Sequence, residues 1–196
     1  MKREARVIVA AMVAASAGLL AGSDASAAQP GARASRSRHG HCGDAYLQPT
    51  RRNISRVVAA TLCLIARERE ANRLGVLRTN GSLQRIAASQ AKDMAIRDYF
   101  GDNGPTGATP WQRVTASRYA SGARSLSVAQ NIGWGTERLA TPAAIVNAWM
   151  LSPQHREVML TGGYRDIGVG VAPAVPSSLT NGQPGATYTV ELATRR

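Results

Sequence analysis

The sequence predicts an α+β protein in which the helices come first and most of the strands follow. Two observations support this class. Between residues 54 and 98, apolar residues recur at helical spacing in two successive segments. In the last third of the chain, runs rich in valine, isoleucine and threonine alternate with proline- and glycine-containing turns, a pattern typical of paired strands. Helices collected ahead of strands indicate a sheet covered by helices.

The first 27 residues have the pattern of a secretory signal peptide. Lys2, Arg3 and Arg6 form its charged start, residues 7–20 its apolar run, and residues 25–27 an A-x-A cleavage site. Because the apolar run is short and rich in alanine and glycine, it fits a cleaved leader better than a membrane anchor. We therefore expect an exported, extracellular protein with no transmembrane segment after cleavage.

The chain is strongly basic, with a formal net charge of +12, and loss of three basic and two acidic residues with the leader leaves +11. Its basic residues are scattered and aromatic residues make up only 5% of the chain. Nucleic-acid-binding surfaces instead cluster basic residues with aromatics, so we expect no nucleic-acid partner. A lipid or an anionic cell-envelope polymer suits an exported basic protein better, and we expect a monomer.

Residues 28–53 are predicted to form a basic flexible arm that carries Cys42, and residues 54–196 to form one folded domain. The only other cysteine is Cys63, and an oxidising compartment favours a disulfide between the two. That bond would tie the arm to the first helix and contribute about 3 kcal/mol in the chain-entropy model.

Three helices are predicted in the first half of this domain. The first runs from Asn53 to about Leu74, and the second from an N-cap at Ser82 to about Asp98. A loop of turn-forming residues then leads to a short third helix that begins at Thr109-Pro110.

A pair of short helices is predicted around Ser152-Pro153. Residues 142–151 form an amphipathic helix, after which serine serves as an N-cap and proline takes the first helical position. His155 therefore lies in the first turn of the next helix. Its imidazole is placed either to line a cleft or merely to cap and pack, and the pattern leaves both interpretations open.

Strands are predicted at residues 128–133, 166–172 and 186–193, with a long hairpin loop between the last two. Six stretches in this order are typical of one family: 62–69, 93–100, 107–114, 129–133, 149–156 and 167–171. From about Thr61 onward the chain thus resembles the CAP superfamily of cysteine-rich secretory, antigen 5 and pathogenesis-related proteins, and most of all its small bacterial secreted members. The resemblance implies a three-layer α-β-α sandwich of the CAP (SCP) type for residues 54–196.

The resemblance also implies a ligand cleft. In the family this cleft displays two histidines and acidic residues, which hold a divalent metal in some members. Here the position of the first histidine is Asp102 and that of a glutamate is Gln130, while His155 retains the second histidine. The candidate cleft residues are therefore Asp102, Gln130 and His155.

These replacements change the expected chemistry. One imidazole, one short carboxylate and one amide oxygen supply too few ligands for a tight zinc-type site, so we expect no cofactor beyond a weakly held divalent cation. Asp102 and His155 are the catalytic candidates, as a dyad for general-base chemistry. Asp102 equally fits a turn, because Asp-Asn-Gly is a common turn sequence, and the only nearby hydroxyl, on Ser152, is assigned to capping.

Two functions follow from this chemistry. The first is non-catalytic binding of an extracellular or cell-envelope ligand, which the replaced histidine and glutamate favour. The alternative is a hydrolase that acts on peptide or cell-wall material through His155 and an acidic partner. The fold by itself does not decide between them.

Overall fold

The computed structural model describes the backbone of residues 7–11 and all of residues 42–180 and 182–196. The predicted leader and the first part of the arm, to residue 41, otherwise lie outside the described residues. Within the described part of the chain, none of the helices has the length and apolar character that a bilayer span requires.

A five-stranded sheet forms the middle of the domain, with strand order β1-β3-β5-β4-β2. All neighbouring strands are antiparallel except β2 and β4, which are parallel. The elements in chain order are β1 (Val7–Ala11), α1 (Ile54–Ala71), β2 (Arg78–Thr79), α2 (Gly81–Ile96), α3 (Pro110–Thr115), β3 (Leu126–Thr136), α4 (Pro142–Leu151), α5 (Pro153–Leu160), β4 (Asp166–Ala172), α6 (Ser177–Thr180) and β5 (Gly185–Arg195), with a 3₁₀ turn at Glu137–Ala140.

Helices cover both faces of this sheet, which confirms the predicted α+β sandwich with α-β-α layers. On one face, Val169, Val190 and their strand neighbours pack with buried residues of α1, α4 and α5 in the main core. On the other face α2 lies so close to β4 that only glycine fits beneath it. A Cβ added to Gly168 would lie 2.2 Å from the carbonyl carbon of Leu83.

The helix starts follow local capping chemistry, with one correction. Pro142–Leu151 and the restart at Pro153 occur as predicted. Helix α2, however, is capped by Asn80, whose side chain accepts hydrogen bonds from the backbone N–H groups of Ser82 and Leu83. Ser82 was therefore the wrong N-cap residue, because the asparagine two positions earlier reaches the same free N–H groups.

The disulfide between Cys42 and Cys63 is confirmed, with the two Cα atoms 5.8 Å apart. Residues 42–53, predicted as the end of the arm, pack on the domain in the structure. Cys42 is buried, and the backbone oxygen of Ala45 accepts a hydrogen bond from the N–H of Ala143 at 2.8 Å. The disulfide thus joins α1 to a segment that also contacts the start of α4.

Candidate functional site

A cavity of about 490 Å³, here called the cleft, opens beside the first half of β3. Its floor is residues 128–130 of β3. One wall comes from the loop after α2 and the start of α3, at residues 102–103 and 109–111, and the opposite wall from Glu157, Val158, Thr161 and Tyr164. The cleft therefore lies between the helical layers at an edge of the sheet.

The strand at the floor of the cleft has a free edge. Within the described residues, β1 pairs with β3 only from Asn131 to Gly135, so no strand covers the outer edge of residues 126–130. The other edge of the same residues pairs with β5. The floor of the cleft is consequently a strand with one free edge.

Arg113 of α3 ties the cleft together. A capping box between Thr109 and Gln112 fixes the start of this short helix. The guanidinium then donates three hydrogen bonds, at 2.7 Å to the backbone oxygens of Ala108 and Asp102 and at 3.1 Å to Oε1 of Gln130. It thereby holds the loop that carries Asp102 against the strand that carries Gln130.

Asp102 and Gln130 both line the cleft, and both keep an unsatisfied polar atom. The side chains are buried, with 6% and 3% of their surface exposed. Within the described residues, Oδ1 of Asp102 and Nε2 of Gln130 have no hydrogen-bond partner. Burial raises the pKa of Asp102 to about 6, although the nearby guanidinium of Arg113 opposes the shift.

A second carboxylate, on Glu191, lies on β5, the strand that pairs with the floor of the cleft. Glu191 pairs with Gln130 across β3 and β5, is fully buried, and has no hydrogen-bond partner for either carboxylate oxygen among the described residues. Burial raises its pKa to about 8; Arg113 lowers this value and the charge of Asp102 raises it. Asp102, Arg113, Gln130 and Glu191 are called the polar cluster below.

Arg113 and Glu191 were not among the candidate site residues. Arg113 lies in one of the stretches that resemble the family, but an arginine on a short helix carries no sequence signal of burial. Glu191 was a lone carboxylate in a strand of apolar and threonine residues, which is unusual enough to indicate a special environment.

His155 does not join Asp102 and Gln130 in the lining of the cleft. It lies on α5, the helix that supplies Glu157 and Val158, but only 2% of its surface is exposed. Its backbone oxygen accepts a hydrogen bond from Nδ2 of Asn131 at 3.0 Å. Because successive residues of a strand point to opposite faces, Asn131 and Gln130 project to different sides of β3.

Ser152 does not cap α5 in the predicted way. Its side chain makes no capping bond to the helix backbone, and its Oγ lies 2.7 Å from Nδ1 of His155. This contact spans three residues at a helix start, so the geometry of the first turn is enough to bring the two side chains together.

The side chains present do not fit the divalent metal that the resemblance implies. In the described part of the chain, no three His, Cys, Asp or Glu residues come close enough to hold an ion. Oε1 of Gln130 already accepts a hydrogen bond from Arg113, and a guanidinium beside the cleft repels a second cation. No chemical step is therefore derived through a metal.

Comparison with known proteins agrees with the fold. A family model described as the cysteine-rich secretory protein family, CAP, matches residues 62–179, which is more than half of the chain. The uncharacterized protein YkwD of Bacillus subtilis (strain 168) is 30% identical over 103 residues, or 53% of this chain and 37% of that protein. The match thus spans little more than a third of that relative.

Solved structures share the architecture. An outer surface protein from Borrelia burgdorferi has a TM-score of 0.53 at 21% identity, over 69% of this chain and 90% of that one. An extracellular protein containing an SCP domain from Bacillus anthracis str. Ames has a TM-score of 0.51 at 22% identity, over 71% and 39%. A cysteine-rich secretory protein from Staphylococcus aureus subsp. aureus Mu50 has a TM-score of 0.51 at 16% identity, over 74% and 40%.

At these identities the structural likeness shows the fold alone. The family match covers the elements that build the cleft, from α1 through β4. The order of these elements, the helical layers on both sides of the sheet and the match along residues 62–179 lead to one conclusion: the chain belongs to the cysteine-rich secretory protein (CAP) family, as a CAP domain of the SCP type.

Proposed function

We propose that this CAP domain is an exported, non-catalytic protein whose cleft binds an extracellular or cell-envelope ligand. The observation that carries the proposal is the pair of unsatisfied atoms on Asp102 and Gln130 in the wall and floor of the cleft. A buried donor or acceptor without a partner costs free energy, and a ligand that supplies the missing partners recovers it. The cavity volume also lies in the range of small-ligand sites.

Export is supported by two features. The Cys42–Cys63 disulfide fits an oxidising, extracellular environment. The leader pattern of residues 1–27 predicts how the chain reaches that environment.

The cleft also offers an aromatic surface to a ligand. Trp111 is 50% exposed in the cleft wall, whereas Trp134 and Trp149 are buried in the domain. An exposed indole provides a large apolar contact area with one polar N–H group, a combination that is common where proteins bind partners.

The charge of the cleft differs from that of the whole chain. Among the described residues its lining contains Asp102 and Glu157 but no lysine or arginine, although the chain has 24 basic residues. The wall with Glu157 therefore suits a neutral or cationic group, whereas the guanidinium of Arg113 beside Asp102 disfavours a cation at the opposite wall. An anionic cell-envelope polymer or an acidic lipid surface would bind the basic exterior instead.

Tryptophan fluorescence tests the proposal directly, since Trp111 lines the cleft. Soluble fragments from muramidase-digested peptidoglycan should change the emission of the wild-type protein in a saturable way. The change should disappear in Trp111→Phe, which retains an aromatic ring but not the reporter. A saturable change that persists in Trp111→Phe, or no change at all, contradicts binding in the cleft.

One observation favours the alternative function, a hydrolase. The contact between Ser152 Oγ and His155 Nδ1 at 2.7 Å is of the kind that activates a serine nucleophile. Neither residue is among the described residues that line the cleft, however, so the pair lies outside the proposed ligand site. Release of new amino termini or reducing ends from peptidoglycan by the wild type, lost in Ser152→Ala, would establish the hydrolase and reject the binding function.

A further inference from the structure

We infer that the ligand of the cleft is a polypeptide segment in extended conformation, which pairs as an additional strand with the free edge of β3. The inference rests on the binding function proposed above and names the class of ligand. It is carried by the backbone of the floor, the two unsatisfied side chains and the charge of the lining.

The backbone of the floor is the first argument. Residues 128–130 belong to the segment 126–130 of β3 that has no strand on its outer edge among the described residues. A free strand edge presents a row of N–H and C=O groups, which is the surface that extended peptides use in strand addition. Five residues of strand offer roughly 17 Å of such edge.

The same edge already holds a strand immediately beyond the cleft. The backbone of β1 pairs antiparallel with Asn131–Gly135 in unbroken register. Cleavage of the predicted leader would remove β1 and extend the free edge to Thr136. The peptide site is therefore continuous with an edge whose geometry accommodates an antiparallel partner.

The unsatisfied side chains are the second argument. Oδ1 of Asp102 lacks a donor and Nε2 of Gln130 lacks an acceptor. Each peptide unit supplies one N–H and one C=O, so a single extended chain can satisfy both atoms. A hydrocarbon chain supplies neither group. Sugar hydroxyl groups supply both, but they do not pair with a strand edge in the regular ladder that an extended peptide forms.

The charge and shape of the walls predict which peptides bind best. Side chains of an added strand alternate between two directions, one toward the wall with Trp111 and the other toward the wall with Glu157. Trp111 favours an apolar or aromatic side chain, while Glu157 favours lysine or arginine, since the charge of Asp102 is offset by Arg113 beside it. Acidic peptides should bind least, because Glu157 repels them and no lysine or arginine of the described residues lines the cleft.

The test uses a positional-scanning library of capped hexapeptides, with Trp111 fluorescence as the readout. The best peptide is resynthesised in two forms, with N-methyl groups on one or the other alternating set of residues, because only one set of N–H groups faces β3. We expect saturable binding of the unmodified peptide and at least tenfold weaker binding of the form methylated on the set that faces β3. Hydrogen exchange of the backbone N–H groups of 126–130 that do not pair with β5 should slow at least tenfold when the peptide is bound.

Two glutamate variants test whether the wall with Glu157 attracts basic peptides. Glu157→Gln should weaken binding of a lysine-containing peptide two- to fivefold. Glu70→Gln, on an exposed position of α1 and outside the cleft lining, should leave binding unchanged. Equal loss in both variants would show a non-specific charge effect and reject the assignment to this wall.

The tetramer of N-acetylglucosamine is the competing probe. If it changes Trp111 fluorescence while no library peptide does, or if neither methylated form binds more weakly than the unmodified peptide, the strand-addition inference is wrong and the binding cleft remains. If peptides, sugar and peptidoglycan fragments all leave Trp111 unchanged, the cleft itself is not a binding site and both proposals fail.

Discussion

Two buried arginines on opposite sides of the sheet have different surroundings. Arg69 of α1 is 1% exposed and donates to the backbone oxygens of Gly75, Met159 and Thr161 at 2.7–3.1 Å. Its partners are neutral carbonyl groups, which accept from Nε and Nη1. It fastens the end of α1 to the end of α5.

Arg113 also donates three hydrogen bonds, but its surroundings are incomplete. Its own Nε, Oδ1 of Asp102, Nε2 of Gln130 and both oxygens of Glu191 have no hydrogen-bond partner among the described residues. Arg69, which donates to three backbone carbonyl groups of the domain, is therefore a structural element. For the cluster around Arg113, which lies next to a cavity, we propose that a ligand supplies the missing partners.

The largest expected effect is the loss of stability when Arg69 is replaced. Arg69→Met fills similar space but leaves three carbonyl groups without donors, so we expect a loss of about 4 kcal/mol in the free energy of unfolding. Urea denaturation measures this loss. Arg67→Met, at an exposed position of the same helix, is the matched control and should change stability little. Equal effects in both variants would show that the buried hydrogen bonds of Arg69 are not important.

Glu191 should make stability depend on pH. Its pKa is raised from 4.5 to about 8, so the folded state favours the protonated form. The stability from this preference is complete below pH 4.5 and is lost as pH rises to 8, on the order of 3 kcal/mol between pH 5 and 8. Glu191→Gln should remove most of that loss.

Denaturation of the wild type and Glu191→Gln at several pH values checks this prediction. Because the raised pKa of Asp102, about 6, acts in the same direction, some decline between pH 4 and 6 should remain in the variant. A variant whose stability declines as steeply as that of the wild type up to pH 8 would show that Glu191 is not the titrating group.

Replacement of Arg113 should lower the free energy of unfolding less at low pH than at high pH. Its guanidinium lowers the pKa of both Asp102 and Glu191, so Arg113→Met raises both pKa values and makes their ionised forms costlier. We expect about 1 kcal/mol of destabilisation at pH 5 and about twice that at pH 8. The loss in Arg69→Met, where no carboxylate accepts from the arginine, should be nearly independent of pH. If the loss of stability depended on pH in the same way in both variants, the carboxylates would not distinguish Arg113 from Arg69.

Addition of zinc should have the smallest effect on the stability of the protein. The polar cluster lacks a set of three ligands and contains a guanidinium, so zinc at 1 mM should shift the melting temperature of the wild type by less than about 1 °C. A concentration-dependent increase of several degrees, abolished in Asp102→Ala, would contradict the metal-free interpretation of the cleft.

How much was predictable from the sequence depends on how local the cause is. The break between α4 and α5 follows from adjacent residues, Ser152 and Pro153, and the disulfide follows from having only two cysteines. Both were predicted. The two-residue strand β2 was not, because its pairing with Asp166 and Ile167 depends on residues far away in the chain.

The residues of the candidate site also differ in how far their environment depends on distant parts of the chain. Asp102 and Gln130 were candidates because family motifs mark their positions. The importance of Arg113 and Glu191 arises from contacts across the fold: a side-chain bond from α3 to β3, and a register that places Glu191 opposite Gln130. The burial of His155 likewise depends on how α5 packs, which the motif around Ser152-Pro153 does not specify.

The most direct test of the account compares Gln130→Leu with Arg69→Met in binding of muramidase-digested peptidoglycan, measured by Trp111 fluorescence under conditions in which both variants are folded. Gln130→Leu removes a polar group of the incomplete cluster, so we predict at least a tenfold loss of affinity with a stability change of only about 1 kcal/mol. Arg69→Met should keep the affinity of the wild type despite its much larger loss of stability. Undiminished binding by Gln130→Leu, or a loss of affinity that follows stability in both variants, would contradict the claim that the incomplete cluster marks the binding site.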